Sequence, residues 1–391
     1  MDKNTKGINT ICTHVGEVED KQFKGAVSPL YMSSSYAFQD VDVKRYPRYF
    51  NTPNQEGLAI KIAALEQCES GLIFGSGMAA ISTAVMAFLE AGDHIVLQGD
   101  IYGGTYNLVV EQFNKFGIDF SFSKGMKEAD FEELIKPNTK VIYVETPSNP
   151  LLKITDLRMI AALAKKYNLI SMIDNTFASP INQIPANFGI NIIIHSATKY
   201  MGGHSDMCAG AVACSEEHIE KIFHLAKNLG GSLSDYTVWL LERSMKTMGI
   251  RVRAQNENAQ RLADYLSNHE DIDAVYYPGL KSHVGHEIAK QQMSGFGGMM
   301  SFELKEDLDA GLFQKSLQLI KPSMSLAGVE STVLSPAETS HALLGAEERK
   351  NRGIADGLIR FSVGIEETED LIRDIEQALI QIKKKQIVTS S

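Results

Sequence analysis

The chain has 391 residues, 44% of them hydrophobic and 22% charged, a balance that suits a soluble globular protein and argues against intrinsic disorder. Its length suits two domains of unequal size. With 38 basic against 48 acidic residues the net charge is −10, so no basic field draws nucleic acid or an anionic membrane.

The N-terminus is polar and charged, without an apolar core before a cleavage site, and no stretch is long enough to cross a bilayer, which predicts a cytoplasmic protein. The first periodic stretch, 56–69, predicts a helix ending at Gly71, and Leu72-Ile73-Phe74 then runs as a strand into Gly75-Ser76-Gly77-Met78-Ala79-Ala80. Ile81, Val85, Met86 and Leu89 continue at helical spacing. A strand, a glycine turn and a helix N-terminus bind anions well, because glycines admit close backbone approach and free N–H groups point at the ligand. Gly77 and Met78 are therefore candidates for backbone contacts to a phosphate. A dinucleotide fingerprint is the weaker reading: the third glycine is missing, although Ala80 could replace it, and no acidic residue follows a second strand at the expected distance.

Apolar runs recur at 94–97, 141–144, 169–173 and 190–194, separated by helical stretches such as 160–167. This alternation predicts a mainly parallel sheet covered on both faces, with ligands at the carboxyl ends of its strands. Glu145, Asp174 and the segment 195–199 all fall at such ends.

Lys199 lies in Ser196-Ala197-Thr198-Lys199-Tyr200-Met201-Gly202-Gly203-His204, and Asp174 stands 25 residues upstream at the end of another strand. Lysines beside hydroxyls are common on surfaces, so Lys199 alone decides little. Together with Asp174 it has what a pyridoxal 5′-phosphate (PLP) site needs: an amine for the Schiff base, hydroxyls for the phosphate and a carboxylate to pair with the pyridinium nitrogen.

Cys12, Cys68, Cys208 and Cys214 have no metal-ligand spacing. Cys208 and Cys214 bracket the strand-like run 209–213 and are expected to be buried, reduced thiols. His195, His204 and Asp206 lack a second cluster to complete a coordination sphere, so no metal is expected. After about Leu241 the pattern changes to long helices (251–268), a Tyr276-Tyr277-Pro278-Gly279 break, a strand over 299–304 and a final helix from Thr368 striped by Leu371, Ile372, Ile375, Leu379 and Ile382. A smaller α+β domain is expected there, with Lys383-Lys384-Lys385 offsetting the dipole at the end of the last helix.

Seven motifs along the chain carry a family resemblance: Tyr46-Pro47-Arg48, Gly75-Ser76-Gly77-Met78, Ile101-Tyr102-Gly103-Gly104-Thr105, Glu145-Thr146-Pro147-Ser148-Asn149-Pro150, Asp174-Asn175-Thr176, Ser196 to Gly203, and Leu358-Ile359-Arg360-Phe361-Ser362-Val363-Gly364. In this order they resemble the PLP-dependent trans-sulfuration enzymes of cysteine and methionine metabolism: cystathionine β-lyase, cystathionine γ-lyase, cystathionine γ-synthase and methionine γ-lyase. The resemblance implies an α/β architecture of fold type I, with a mainly parallel seven-stranded sheet, helices on both faces and a smaller C-terminal α+β domain. It also implies an arm over 1–50 reaching the neighbouring subunit, a large cofactor-binding domain over 51–245 and a small domain over 246–391.

Residue by residue, the resemblance implies that Lys199 holds PLP and shuttles protons, that Asp174 pairs with the ring nitrogen and that Tyr102 stacks over the ring. Gly77, Met78, Ser196 and Thr198 bind the phosphate, with Tyr46 and Arg48 reaching it from the partner of a catalytic dimer, and dimers pair into tetramers. Arg360 clamps the substrate carboxylate, helped by Asn149 and Ser325, and Glu145 supports the site from behind.

Two departures bear on the reaction. Resembling γ-lyases would place a glutamate before Ser325 and an arginine after the tyrosine loop, where this chain has Met324 and Asn107; resembling methionine γ-lyases would place a cysteine at Gly104. Lys44 and Arg45 could supply charge for a distal carboxylate or lie in a solvated loop. The expectation is a carbon–sulfur lyase acting on cystathionine or related cysteine conjugates by α,β-elimination, with γ-replacement and γ-elimination as the alternatives.

Overall fold

A computed structural model of the chain describes residues 6–339 and 353–389, with side chains as far as 384. Residues 1–5 of the expected arm and 340–352 and 390–391 of the expected small domain lie outside the described residues. The chain forms two units. The first comprises Met1–Thr146, Thr155–Gly202 and Asp206–Ile250, and the second Pro147–Ile154, Gly203–Ser205 and Arg251–Ser391.

The first unit is built on seven strands: β1 (Ser70–Phe74), β2 (His94–Leu97), β3 (Asp119–Phe122), β4 (Thr139–Glu145), β5 (Ile170–Asp174), β6 (Ile192–His195) and β7 (Gly210–Cys214), in the order β1-β7-β6-β5-β4-β2-β3. All neighbours are parallel except the two pairs made by β7, which runs antiparallel to β1 and to β6. Side chains alternate between two cores. Ile95, Leu97, Tyr143, Met172 and Ile194 face one, and Val96, Ile142, Val144, Ile173 and Ile193 the other. Because both faces are buried, the strands read as continuous apolar runs.

Helices α1 (Pro53–Leu65), α2 (Gly77–Met86), α3 (Gly103–Gln112), α4 (Leu157–Tyr167) and α5 (Glu216–Leu229) surround this sheet. α1 begins three residues before the periodicity predicts, because Thr52 and Gln55 form a reciprocal capping box with Pro53 in the first turn. It ends at Leu65, where Glu66 caps it and Gln67 turns into the left-handed region at φ 56°. The sequence pattern does not predict β3, an edge strand of half-exposed Asp-Phe-Ser-Phe. Cys214 is buried within β7 as expected, but Cys208 is exposed, because β7 begins at Gly210 and leaves Cys208 in the preceding loop.

The second unit is a five-stranded sheet of β8 (Ile272–Tyr276), β9 (Met299–Leu304), β10 (Lys321–Pro322), β11 (Thr332–Leu334) and β12 (Leu358–Ser362), in the order β10-β11-β12-β9-β8. Met300, Phe302, Ile359 and Phe361 pack with Leu262 and Leu266 of helix α6 (Met248–Leu266) and with Leu371, Ile375, Leu379 and Ile382 of helix α7 (Thr368–Thr389). Since α7 runs on to Thr389, the basic run is not at its C-terminus. Lys383 instead approaches Asp271 at 2.5 Å and Glu270 at 3.4 Å, so a tertiary ion pair replaces the expected dipole contact. Among the described residues no helix is long and apolar enough to cross a membrane.

Candidate active site

Polar residues gather where the parallel strands of the first unit end. Gln98 follows β2, Glu145 closes β4, Asp174 closes β5 and His195 closes β6, and all four are buried. Glu145 and Asp174 are register partners across β4 and β5. Carboxyl ends of parallel strands are where loops can converge on a ligand without interrupting the sheet.

Asp174 is held by its neighbour. Its Oδ1 accepts the Thr176 N–H at 3.0 Å, and the Thr176 hydroxyl oxygen accepts the Ser196 N–H at 2.8 Å, which ties the aspartate to the segment bearing Lys199. Burial pushes the Asp174 carboxyl above its ordinary value, while hydrogen bonds from Thr176 and the charges of His195 and Lys199 pull it back. Such a carboxylate is stabilised by a cation placed against it.

Lys199 is half-buried in the connection between β6 and β7. That pair is antiparallel and needs no crossover helix, so the connection is free to form a loop at the sheet's end. Thr198 pins its base: the Thr198 hydroxyl donates to the Ala209 carbonyl at 3.1 Å and accepts the Ala209 N–H at 3.0 Å.

Helix α2 starts beside Ser196. Ser76 caps it by accepting the Ala79 N–H at 3.0 Å, and Gly77 and Met78 fall at the first two positions, where helix geometry offers no acceptor for their N–H groups. A Cβ on Gly77 would lie 2.7 Å from Ser196 Cβ and 2.9 Å from its Oγ, so only glycine permits this approach.

Tyr102 precedes α3, and its backbone N–H donates to Glu145 Oε2 at 2.7 Å. A Cβ on Gly104 would lie 2.5 Å from Tyr102 Cε1 and 2.9 Å from Met78 Sδ. The tyrosine ring and Met78 at the start of α2 thus meet over this glycine. Gln98 braces the arrangement: its Nε2 donates to the Glu145 carbonyl at 2.8 Å, and its Oε1 accepts the Thr155 hydroxyl at 2.8 Å.

The family comparison covers nearly the whole chain: residues 9–380 match the model of Cys/Met metabolism PLP-dependent enzymes. The chain belongs to this family. It is 44% identical to the cystathionine gamma-lyase of Bacillus subtilis (strain 168), over 95% of this chain and 99% of that protein. To the cystathionine beta-lyase of Lactococcus lactis subsp. cremoris (strain MG1363) it is 43% identical, over 95% of this chain and 98% of that one. Cystathionine gamma-lyase from Lactobacillus plantarum, solved with L-serine, superposes with a TM-score of 0.93 at 40% identity, covering 97% of this chain and 100% of that chain. The architecture is that of fold type I, and the cofactor of the family is PLP.

The first unit fits that cofactor. The Gly77 and Met78 N–H groups at a helix N-terminus, closely faced by Ser196, suit a phosphate, and a buried Asp174 whose carboxyl is raised by burial suits a protonated ring nitrogen. Thr198 stands in the same segment with its hydroxyl engaged by Ala209. Tyr46 and Arg48 make no hydrogen bond to these groups of their own chain. The Arg48 guanidinium donates to the Lys227 carbonyl at 2.5 Å and lies 5.5 and 5.0 Å from the ring centres of Tyr46 and Tyr49. Arg45 is engaged by Glu56 at 2.7 Å.

In the second unit, Arg360 lies in the middle of β12, buried, with Nη1 donating to Asn149 Oδ1 at 3.3 Å and Nη2 to the Ser325 carbonyl at 3.0 Å. Asn149 and Ser325 therefore orient the guanidinium. Ser325 does so through its backbone, in the left-handed region at φ 73°. Neither Gln98 nor Glu66, described below, is signalled by a motif; a polar residue directly after an apolar strand is the only hint Gln98 offers.

Proposed function

We propose that the chain is a carbon–sulfur lyase that cleaves cystathionine, or a related cysteine conjugate, by α,β-elimination to homocysteine, pyruvate and ammonia. Bound PLP supplies an electron sink conjugated to the substrate Cα, which lowers the cost of removing its proton. Lys199 Nζ would hold the cofactor, and its amine would accept the substrate Cα proton and deliver a proton to the departing sulfur. Water converts the remaining three-carbon fragment to pyruvate and ammonia.

The other residues position and polarise. Asp174, fixed by Thr176, would hold the ring nitrogen in its protonated form, and Tyr102 would cover the ring. Gly77, Met78, Ser196 and Thr198 hold the phosphate, and Arg360, oriented by Asn149 and Ser325, grips the substrate carboxylate with two parallel N–H donors. That grip fixes which Cα bond is aligned for cleavage.

The observation that carries β- over γ-chemistry is the absence of charge at two positions. Met324, 73% exposed beside Ser325, and Asn107 on α3 stand where the γ-lyase resemblance would place a glutamate and an arginine. The γ-lyase names of the Bacillus subtilis and Lactobacillus plantarum relatives favour γ-elimination as the second reading.

Incubation of the purified holoenzyme with cystathionine separates the readings. Pyruvate with homocysteine supports β-elimination; 2-oxobutyrate with cysteine overturns it in favour of the γ-lyase, and turnover only with an acylated homoserine in favour of γ-replacement.

The working enzyme is proposed to be a cytoplasmic homo-oligomer, a catalytic dimer paired into a tetramer. Support comes from the segment around Tyr46 and Arg48, where Phe23, Met32 and Phe38 are exposed large hydrophobic side chains and Arg48 is engaged away from the phosphate donors of its own chain.

A further inference from the structure

Behind Asp174 lies a buried polar cluster that the reaction above does not use. Glu66, the residue capping α1, has no solvent exposure, and its Oε1 accepts from His195 Nε2 at 2.5 Å and from Asn175 Nδ2 at 3.0 Å. Asn175 directly follows Asp174, and His195 directly precedes Ser196. One carboxylate oxygen thus ties together the ends of β5 and β6, the two strands that deliver the aspartate and the lysine segment.

Further bonds close the cluster. The Asn175 N–H donates to the Ile194 carbonyl at 2.9 Å, and Gln183 Nε2 donates to Asn175 Oδ1 at 2.9 Å and to the Thr146 carbonyl at 3.1 Å. A carboxylate only accepts, so His195 Nε2 carries the proton in its contact with Glu66. Among the described residues, Glu66 Oε2 meets no hydrogen-bond donor. A carboxyl group with no solvent exposure depends on the donors held against it, and His195 and Asn175 supply them.

We infer that Glu66 is a positioning residue for the cofactor: through His195 and Asn175 it holds the ends of β5 and β6 in register and sets the electrostatic surroundings of Asp174. The inference rests on the proposed roles of Asp174 and Lys199. Glu66, the imidazole, Asp174 and a ring nitrogen would follow one another as a chain of polar groups, each orienting the next. Were Glu66 only a helix cap, its loss would lower stability and leave the cofactor's properties alone.

The test uses the full-length protein. Glu66→Gln keeps an acceptor of the same size and removes the charge, and His195→Gln keeps a donor to Glu66 and removes the imidazole. For each, the PLP dissociation constant of the cofactor-free protein and the pH midpoint of the visible band of the holoenzyme are measured beside the melting temperature. The expected result is a dissociation constant raised about tenfold in either variant, a displaced pH midpoint, and a double variant little worse than either single one.

Folded variants with unchanged affinity and band, differing only in melting temperature, would overturn the inference, as would failure of both to fold, since the cluster would then be purely structural. If Glu66→Gln alone fails to fold, His195→Gln decides by the same criteria. Borohydride labelling in the unaltered enzyme keeps the outcomes separate: a label away from Lys199 removes the underlying reading, whereas a label on Lys199 with an insensitive Glu66→Gln removes only this inference.

Discussion

Glu145 accepts the backbone N–H of Tyr102 at 2.7 Å and is itself braced by Gln98, so a buried carboxylate at the end of β4 sets where the tyrosine loop begins. Removing it leaves a partly buried N–H unpaired beside a small cavity. Glu145→Ala is expected to lower stability by about 1–3 kcal/mol and kcat/KM by about 10–100-fold, whereas Glu145→Gln retains an acceptor and loses less of both. Thermal melts and steady-state kinetics on the two variants check this; equal losses would show that the hydrogen bond is not the cause.

Gly104 leaves no room for a side chain while the Tyr102 ring keeps its place, since a Cβ would lie 2.5 Å from Cε1. Gly104→Ala therefore displaces the ring or Met78. A shift of about 1 Å in a catalytic group costs up to about 100-fold in rate, and the expected signature is a lower kcat with a changed spectrum of the bound cofactor. Unaltered kinetics and spectrum would mean that the ring moves aside without consequence.

Arg360 presents its guanidinium already aligned by Asn149 Oδ1 and the Ser325 carbonyl. Lysine keeps the charge and loses the planar pair of donors. Arg360→Lys is expected to lower kcat/KM by about 100-fold, the equivalent of about 2–3 kcal/mol, with cofactor affinity unchanged. A cofactor dissociation constant that shifts alongside would contradict a role confined to substrate.

Burial raises the Asp174 carboxyl, with Thr176, His195 and Lys199 opposing. A carboxyl raised on folding favours the folded state while protonated; that contribution is complete below the unfolded value of about 3.9 and is lost as pH rises through the folded one. Cofactor-free Asp174→Asn, neutral throughout, should therefore gain in melting temperature relative to cofactor-free wild type as pH rises from about 4, at about 1 °C per kcal/mol. A difference independent of pH would contradict the assignment.

The placement of Asp174 at the end of β5 and of Lys199 just after β6 is legible in the sequence because each follows an apolar run, the mark of a strand buried on both faces. β3 is not legible: its Asp-Phe-Ser-Phe pattern is short and half-exposed, and pairing with β2 rather than periodicity makes it a strand. The early start of α1 depends on the reciprocal contacts of Thr52 and Gln55, which lie outside the apolar stripe.

Gln98 and Glu66 are not legible for a different reason. Their partners, Glu145 and Thr155 in one case and His195 and Asn175 in the other, are brought to them by sheet order and helix packing, which local spacing does not encode. The position of Lys383 near Asp271 likewise follows from the packing of α7. Arg45 is not assigned by charge alone, because its pairing with Glu56 depends on how the loop folds against α1.

Lys199 is the lysine proposed to carry the cofactor. Borohydride reduction of the PLP-loaded protein followed by peptide mapping tests it most directly. A single stable label is expected on the peptide containing Ser196 to Gly202, lost in Lys199→Ala; a label on any other lysine, or none in a protein that binds PLP, would rule Lys199 out.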